Sequence, residues 1–496
     1  MKYTFKTKPW PHQVAGFKFV MRELLATGSS GLQVPLRWGK SKMAVDCASA
    51  LHLKAGIRRV LVVTTTSGLG VWEKEIPKHC PFPVVVIGYD GEVVHHSRDP
   101  IGQFVHDDQA ITFYVIHHAI LYGRDYDWGE TNSEWIPGPN ANIEAFDPEM
   151  IIMDESHRIG DPSSMQCKMA YRYGKNALYR LTLTGTAFHR GPQKVMGQFK
   201  FMDDSVFGTS MKAFNAMYVR YGGYGNYEVV GYQNLGDMST KIKRKIFVQD
   251  YVAHTDPVVT TTPVRMEECA FTYDQMERES VVSIGGHDII APIILTKHLR
   301  CSQIAGGHLK TPTGSYVRVG GEKARALEDK LTTYHEEGID KVVIGAMFIP
   351  ELLDIARAAK KAGYRFVALH GGVPRGVARD TRIAAFQEAE VPTVFIAQIQ
   401  AAAEAIDLSA ASAMIFYSLP QSFLLYDQFK ARIEKYRETR TLLYDHLIMQ
   451  NSRDVVTWLA MNLKQDVATF LLRNPQLVER ITKKDDAVYG LPAGRN

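Results

Sequence analysis

The chain has 496 residues, 45% hydrophobic and 22% charged, with 58 Lys+Arg against 53 Asp+Glu for a net charge of +5. This balance excludes a disordered chain, a collagen, a coiled-coil rod and a histone-like basic coat, and the length allows about two to four domains. No stretch supplies the ~20 consecutive apolar residues of a membrane span, the N-terminus lacks the apolar core of a signal peptide, and five scattered cysteines form neither a C-x-x-C pair nor a zinc spacing. A reduced, cytoplasmic setting is expected.

In chain order, the short Val-, Ile- and Phe-rich runs Val60–Thr64, Val84–Ile87, Ile111–Ile116, Met150–Met153 and Leu181–Thr184 read as buried strands. A second cluster follows at Lys341–Phe348, Arg365–Leu369, Thr393–Ala397 and Ala413–Tyr417. Segments with helical spacing, such as Lys42–Leu53 and Pro350–Ala362, lie between them. Strands that are apolar on both faces and alternate with helices argue for parallel α/β sheets. The clusters divide the chain into a first lobe over 1–200, a partly helical insertion over 201–325, a second lobe over 326–450 and a helical extension over 451–496. Within 203–255, neither Tyr221–Tyr227 nor the basic run Lys241–Lys245 reads as sheet core. Past about 440 the spacing predicts helices over His446–Asn451, Val455–Leu463 and Val467–Leu472, then a frayed polar tail from Lys483.

Two motifs carry chemistry. Trp38-Gly39-Lys40-Ser41 opens a helix and suits phosphate: backbone N–H groups meet the anion, Lys40 reaches it and the Ser41 hydroxyl suits Mg²⁺. Val34 stands where the full pattern has a glycine. Asp154-Glu155-Ser156-His157 follows the strand Met150–Met153. Two carboxylates at a strand tip can divide labour, one holding Mg²⁺ and the other orienting the attacking water.

With this D-E-x-H box, the chain resembles superfamily 2 helicases, most closely the Swi/Snf-like DNA-dependent ATPases, including the short forms that phages encode. Pro11-His12-Gln13 resembles the family's glutamine motif. Leu61-Val62-Val63-Thr64 with Trp72-Glu73-Lys74-Glu75-Ile76 resembles its strand-loop-"W-x-x-E" segment. Leu183-Thr184-Gly185-Thr186 matches a T-G-T motif, and Gly371-Gly372 after His370 fits the second-lobe pattern. The resemblance implies two RecA-like parallel-sheet lobes in tandem, with a mixed insertion and a helical C-terminus.

By that resemblance, Gln13, Trp38, Gly39, Lys40, Ser41, Lys42 and Asp154 bind the nucleotide, with Ser41 and Asp154 holding Mg²⁺. Lys40 is also catalytic, and Glu155 is the general base or water-orienting residue. His157, Thr184, Gly185 and Thr186 couple the nucleotide to the track, although for His157 a structural hydrogen bond is the alternative. In the second lobe, the family pattern Q-x-x-x-R-x-x-R reads Gln428…Arg432…Lys435. Arg432 is the first choice for the arginine finger, with Lys435 or Arg437 assisting. The glycine-rich segment before it reads Ala402-Ala403-Glu404-Ala405-Ile406-Asp407, with alanines where glycines are usual. Thr65, Thr66, Ser67, His117, Gly371 and Gly372 are the candidate nucleic-acid contacts.

The function implied is an ATP-dependent nucleic-acid motor that uses ATP and Mg²⁺ to move along or unwind DNA. DNA, whether single-stranded, duplex or branched, is favoured over RNA. Replication or recombination proteins are the candidate protein partners, a monomer is expected, and no membrane is involved. The alternative is a nucleic-acid-binding module that keeps the motor fold with impaired hydrolysis, motivated by Lys435 and Ala402–Ala405.

Overall fold

The structure, a computed structural model, describes residues 3–35, 37–66, 68–89, 92–96, 110–126, 135–185, 192–222, 225, 228–249, 256–284, 286–291, 293–374, 376–402, 406–435, 438–474 and 476–477. The chain forms two compact units, Met1–Val252 and Ala253–Asn496. Each is built on a predominantly parallel sheet.

The first sheet has eight strands. In spatial order they are Ile246–Val248, Ser29–Gln33, Tyr179–Thr184, Met150–Met153, Arg59–Thr64, Ile111–His117, Val84–Ile87 and Val93–His96. Every pairing is parallel except the last. Val60, Leu61, Val62 and Val63 are fully buried, as both faces of a covered parallel sheet require. Successive parallel strands of one sheet need long crossovers, and helices Lys40–Ala55, Leu69–His79 and Met165–Asn176 lie on them. Parallel strands end at one common edge, and Val34, Thr64, Asp154 and Thr184 fall there together. Val34 N donates to Thr184 O at 3.1 Å, and Asp154 N to Val63 O at 2.8 Å.

The second sheet has six strands, all parallel: Val258–Val264, Leu443–Met449, Ala413–Phe416, Lys341–Ala346, Thr393–Gln398 and Arg365–Leu369. Among the described residues no helix is long and apolar enough to cross a membrane. All five cysteines are free and buried.

The strands expected from sequence are present, with ends shifted by at most two residues. In the two large sheets, five strands lie outside the expected set: Ser29–Gln33, Val93–His96, Ile246–Val248, Val258–Val264 and Leu443–Met449. Ser29–Gln33 is polar and glycine-containing, and it works because its neighbours come close: a Cβ on Gly31 would lie 2.6 Å from Thr182 Oγ1 and 2.9 Å from Ile246 Cγ1. Ile246–Val248 and Val258–Val264 extend the two sheets, so the stretch 201–325 supplies elements to both units. The helix expected over His446–Asn451 is instead the strand Leu443–Met449.

The cause of that correction is polar burial. Asp445 and His446 interrupt the apolar run, yet both are fully buried. Asp445 takes the Thr262 hydroxyl at 2.9 Å and Lys330 at 2.6 Å. His446 lies between Tyr426 Oη at 2.9 Å and Thr260 O at 3.0 Å, with its ring stacked on Phe416.

The basic run Lys241–Lys245 closes helix Leu235–Lys245. Lys241 pairs with Asp237 at 2.8 Å and Lys245 with Asp203 at 2.7 Å, so two of its charges are spent locally. Tyr221 lies in the hairpin Val219–Gly222/Glu228–Tyr232, whereas much of 223–227 lies outside the described residues.

Candidate active site

The loop 34–39 leads into helix Lys40–Ala55 through Gly39 at φ +78°. A residue with a Cβ strains that conformation, and there is no room for one: it would strike Gln13 Nε2. Gln13 braces the loop from helix Pro11–Thr27. Its Oε1 accepts from Trp10 N at 2.9 Å, and its Nε2 donates to Trp38 O at 3.2 Å. His12 Nε2 donates to the same carbonyl at 2.8 Å. Lys40 is 8% exposed and curls into the loop, its ammonium donating to Val34 O at 3.0 Å and Pro35 O at 3.4 Å. Ser41 occupies the second position of the helix, where backbone N–H groups and the positive end of the dipole face outward.

Lys42 departs from expectation. Its side chain turns to Asp46, one helical turn on, at 2.6 Å, and both are buried. Asp46 also takes the Tyr3 hydroxyl at 2.9 Å. Asp46 therefore fastens the N-terminal segment to the helix, with the Lys42 ammonium as its counter-charge.

Across the sheet edge, Asp154 ends the strand Met150–Met153. Its Oδ2 accepts from Thr64 Oγ1 and Trp72 Nε1, each at 2.9 Å, and its Oδ1 accepts from Glu155 N at 2.9 Å. Burial, then the neighbouring Glu155, raises the Asp154 carboxyl; the Trp72 bond, the Lys40 charge and the Thr64 bond oppose that rise. The Lys40 and Asp154 charges thus act on each other across the site. Glu155 adopts φ +46°, ψ +49°. This left-handed conformation costs a non-glycine residue roughly 1–2 kcal/mol and concentrates at functional sites. It turns the chain into the short helical turn Ser156–Ile159. His157 Nδ1 lies 3.3 Å from Glu155 Oε2, without hydrogen-bond geometry. Ser156 is buried on Gln198.

Thr184 is buried beside Val34, and Gly185 follows it; Thr186 and Ser67 lie outside the described residues. In the turn after strand Arg59–Thr64, Thr66 is exposed. Thr65 is buried, and its O and Oγ1 both accept from Gly68 N. His117 ends strand Ile111–His117, with its ring 5.9 Å from Tyr89. The next residue, His118, is the one that reaches the site: its Nε2 donates to Asp154 O at 2.8 Å. Burial, then the Arg158 charge, pushes His118 down to about 3, so it stays neutral. The sequence places Thr64 and His118 in candidate nucleic-acid loops, Thr64-Thr65-Thr66-Ser67-Gly68 and His117-His118, and Trp72 in the W-x-x-E segment; it ties none of the three to Asp154.

In the second unit, the Gly371 N–H donates to Gln398 Oε1 at 2.9 Å and the Gly372 N–H to His370 Nδ1 at 3.2 Å. This sets the turn at the carboxyl ends of two adjacent strands. Helix Phe423–Lys430 ends before Arg432. Arg432 is 5% exposed and donates from Nε to Gln428 O at 2.9 Å, whereas Lys435 is exposed. Arg437 and Ala403–Ala405 lie outside the described residues. Asp407 is held locally, accepting from Gln387 Nε2 at 2.9 Å and Ser409 N at 2.9 Å.

Residues 20–246 match the SNF2-related domain, and residues 322–437 the helicase conserved C-terminal domain. The chain is 24% identical over 430 residues to the ISWI chromatin-remodeling complex ATPase CHR17 of Arabidopsis thaliana, covering 82% of this chain and 37% of that protein. It is 23% identical over 476 residues to the SWI/SNF-related matrix-associated actin-dependent regulator of chromatin subfamily A-like protein 1 homolog of Caenorhabditis elegans, covering 92% of this chain and 61% of that protein. The chain therefore spans only part of the length of these relatives. Among solved structures, the Sulfolobus solfataricus SWI2/SNF2 ATPase core in complex with dsDNA aligns with 19% identity and a TM-score of 0.41, covering 99% of this chain and 96% of that one.

Proposed function

We propose that this chain, whose residues 20–246 match the SNF2-related domain and whose residues 322–437 match the helicase conserved C-terminal domain, is an ATP-dependent motor acting on DNA. One observation carries the reading. The strand ends that lead into the Gly39-Lys40-Ser41 loop and into the Asp154-Glu155 pair fall at a single sheet edge, joined through the strand Tyr179–Thr184 that lies between them. The donor set fits MgATP. A glycine in the left-handed region ahead of a helix N-terminus suits phosphate, and a carboxylate plus a hydroxyl suit a hard divalent cation.

The proposed roles follow from those atoms. Gly39, the first helical N–H groups and Lys40 hold the phosphates, while Ser41 and Asp154 hold Mg²⁺, which would neutralise developing phosphate charge. Glu155 accepts a proton from the attacking water or orients it. Gln13, Trp38 and the backbone of Lys42 keep the loop in shape. Thr184, Gly185, Thr186 and His157 couple the nucleotide to the track, and Thr65, Thr66, Ser67, His117, Gly371 and Gly372 contact it. Arg432 is the proposed arginine finger, with Gln428 anchoring it and Lys435 assisting. Two motor lobes, the 201–325 stretch and the helical 451–496 extension are the proposed parts, in a monomeric, cytoplasmic protein.

The A. thaliana relative is named for chromatin remodelling. That favours translocation on duplex DNA over strand separation for this chain. Loss of hydrolysis is not favoured, because Lys40, Ser41, Asp154 and Glu155 are all in place.

The test is ATP turnover measured without nucleic acid and with single-stranded DNA, duplex DNA, forked DNA or RNA. Duplex DNA should raise turnover by roughly tenfold or more, equivalent to about 1.4 kcal/mol or more of barrier. Identical rates under all five conditions would remove the motor reading.

A further inference from the structure

Asp154 is held at its carboxylate and its backbone carbonyl by residues to which the proposed function gives no role. Trp72 and Thr64 both donate to Oδ2, and His118 donates to the Asp154 backbone carbonyl. Trp72 is 1% exposed, Thr64 0% and His118 6%. These three residues share an origin. Thr64 and Trp72 flank the turn that holds Thr65 and Thr66, and His118 follows His117. Both loops proposed to meet the track therefore end on the residue proposed to hold the metal.

The linkage is stiff. Gly68 N donates to both oxygens of Thr65, and Trp72 N donates to Gly68 O at 3.0 Å, which puts the indole one helical turn beyond the loop. A Cβ on Gly68 would strike Thr64 Oγ1. The turn, the hydroxyl and the indole thus form one packed block. An indole N–H can only donate, so Trp72 reads the carboxylate of Asp154 and no cation. Two donors on one oxygen fix the plane of the carboxylate, and with it the direction in which the other oxygen points.

We propose that Trp72, with Thr64, is a positioning residue that transmits engagement of DNA at the Thr65–Thr66 turn to the metal-binding orientation of Asp154. His118 restrains the backbone at the same point. This rests on the motor reading above. A buried indole could serve packing alone, and the two roles separate by measurement: phenylalanine keeps the six-membered ring but loses the five-membered ring with its N–H, so thermal melting reads the lost packing while the Mg²⁺-dependent gain reads the lost donor.

The test uses the full chain with Trp72→Phe, Thr64→Val and Thr64→Ser. Affinity for a fluorescent ADP is measured with and without Mg²⁺, in the presence and absence of duplex DNA, alongside thermal melting and turnover. In the wild type, duplex DNA should tighten Mg²⁺-dependent ADP binding by about fivefold or more, the low end of ordinary coupling. Trp72→Phe and Thr64→Val should lose most of that gain, Thr64→Ser should keep it, and Mg²⁺-free affinity should change little in any of them. An undiminished gain in Trp72→Phe and Thr64→Val overturns the proposal. So does a loss in Trp72→Phe that extends equally to Mg²⁺-free binding, which would mark a packing defect. A wild type whose turnover and ADP affinity both ignore DNA would instead sink the motor reading, and this inference with it.

Discussion

Glu155→Gln should lower ATP turnover by roughly 10³-fold or more, equivalent to about 4 kcal/mol of barrier. Gln has the shape of Glu and keeps a hydrogen-bond acceptor, but it cannot take a proton. The backbone geometry that aims this side chain survives the change, because it is fixed by φ +46° and by the Glu155 N–H on Asp154 Oδ1. The side chain is 17% exposed, accessible to a water at the edge of the site. Nucleotide affinity and DNA affinity should therefore stay within about threefold of wild type. Steady-state phosphate release, with binding of a fluorescent nucleotide as the control, reads both. Equal turnover in wild type and variant would show that another group activates the water.

Lys323→Ala should have the largest effect on stability, destabilising the second unit by roughly 3–5 kcal/mol, the usual cost of stranding one member of a buried ion pair. Lys323 is 2% exposed and Asp454 4%, and their charged atoms lie 2.6 Å apart. The ammonium also donates to Tyr417 O at 2.9 Å, while Asp454 accepts from Met449 N at 3.2 Å. One lysine thus fastens helix Glu322–Glu336 to the carboxyl ends of two strands and to the first turn of helix Arg453–Asn462. Truncation leaves a buried carboxylate with its cation gone. The melting transition of the second unit should fall by roughly 6–20 °C. The double variant Lys323→Met/Asp454→Asn should recover part of that loss, because it strands no charge. A shift of under a degree in the single variant would mean that water reaches Asp454.

The parallel-sheet pattern was legible where strands are apolar on both faces. Met150–Met153 and Arg365–Leu369 match to the residue. It was illegible where burial is polar. Nothing local distinguishes Asp445-His446 on a helix surface from the same pair inside a sheet; the distinction comes from Thr262, Lys330 and Tyr426, which are distant in sequence. Ser29–Gln33 was hidden for the opposite reason, since its small residues are selected by neighbours that close in on Gly31.

The site shows the same division. Gly39-Lys40-Ser41 and Asp154-Glu155 could be read because their chemistry is written in adjacent residues. Lys42 stands with them by the family resemblance, and nothing in the local sequence signals that its ammonium pairs with Asp46 one turn on. Trp72 bonds a residue 82 positions away, a pairing that no spacing encodes. His117 and His118 look equivalent in sequence, yet His118 is the one bonded to Asp154.

The central claim is that ATP hydrolysis moves this chain along duplex DNA. The most direct measurement is displacement of a fluorescent third strand from a DNA triplex flanked by duplex. The account predicts displacement with MgATP, none with a non-hydrolysable analogue and none with Glu155→Gln. DNA-stimulated hydrolysis without displacement, or displacement that is the same with and without ATP, would contradict it.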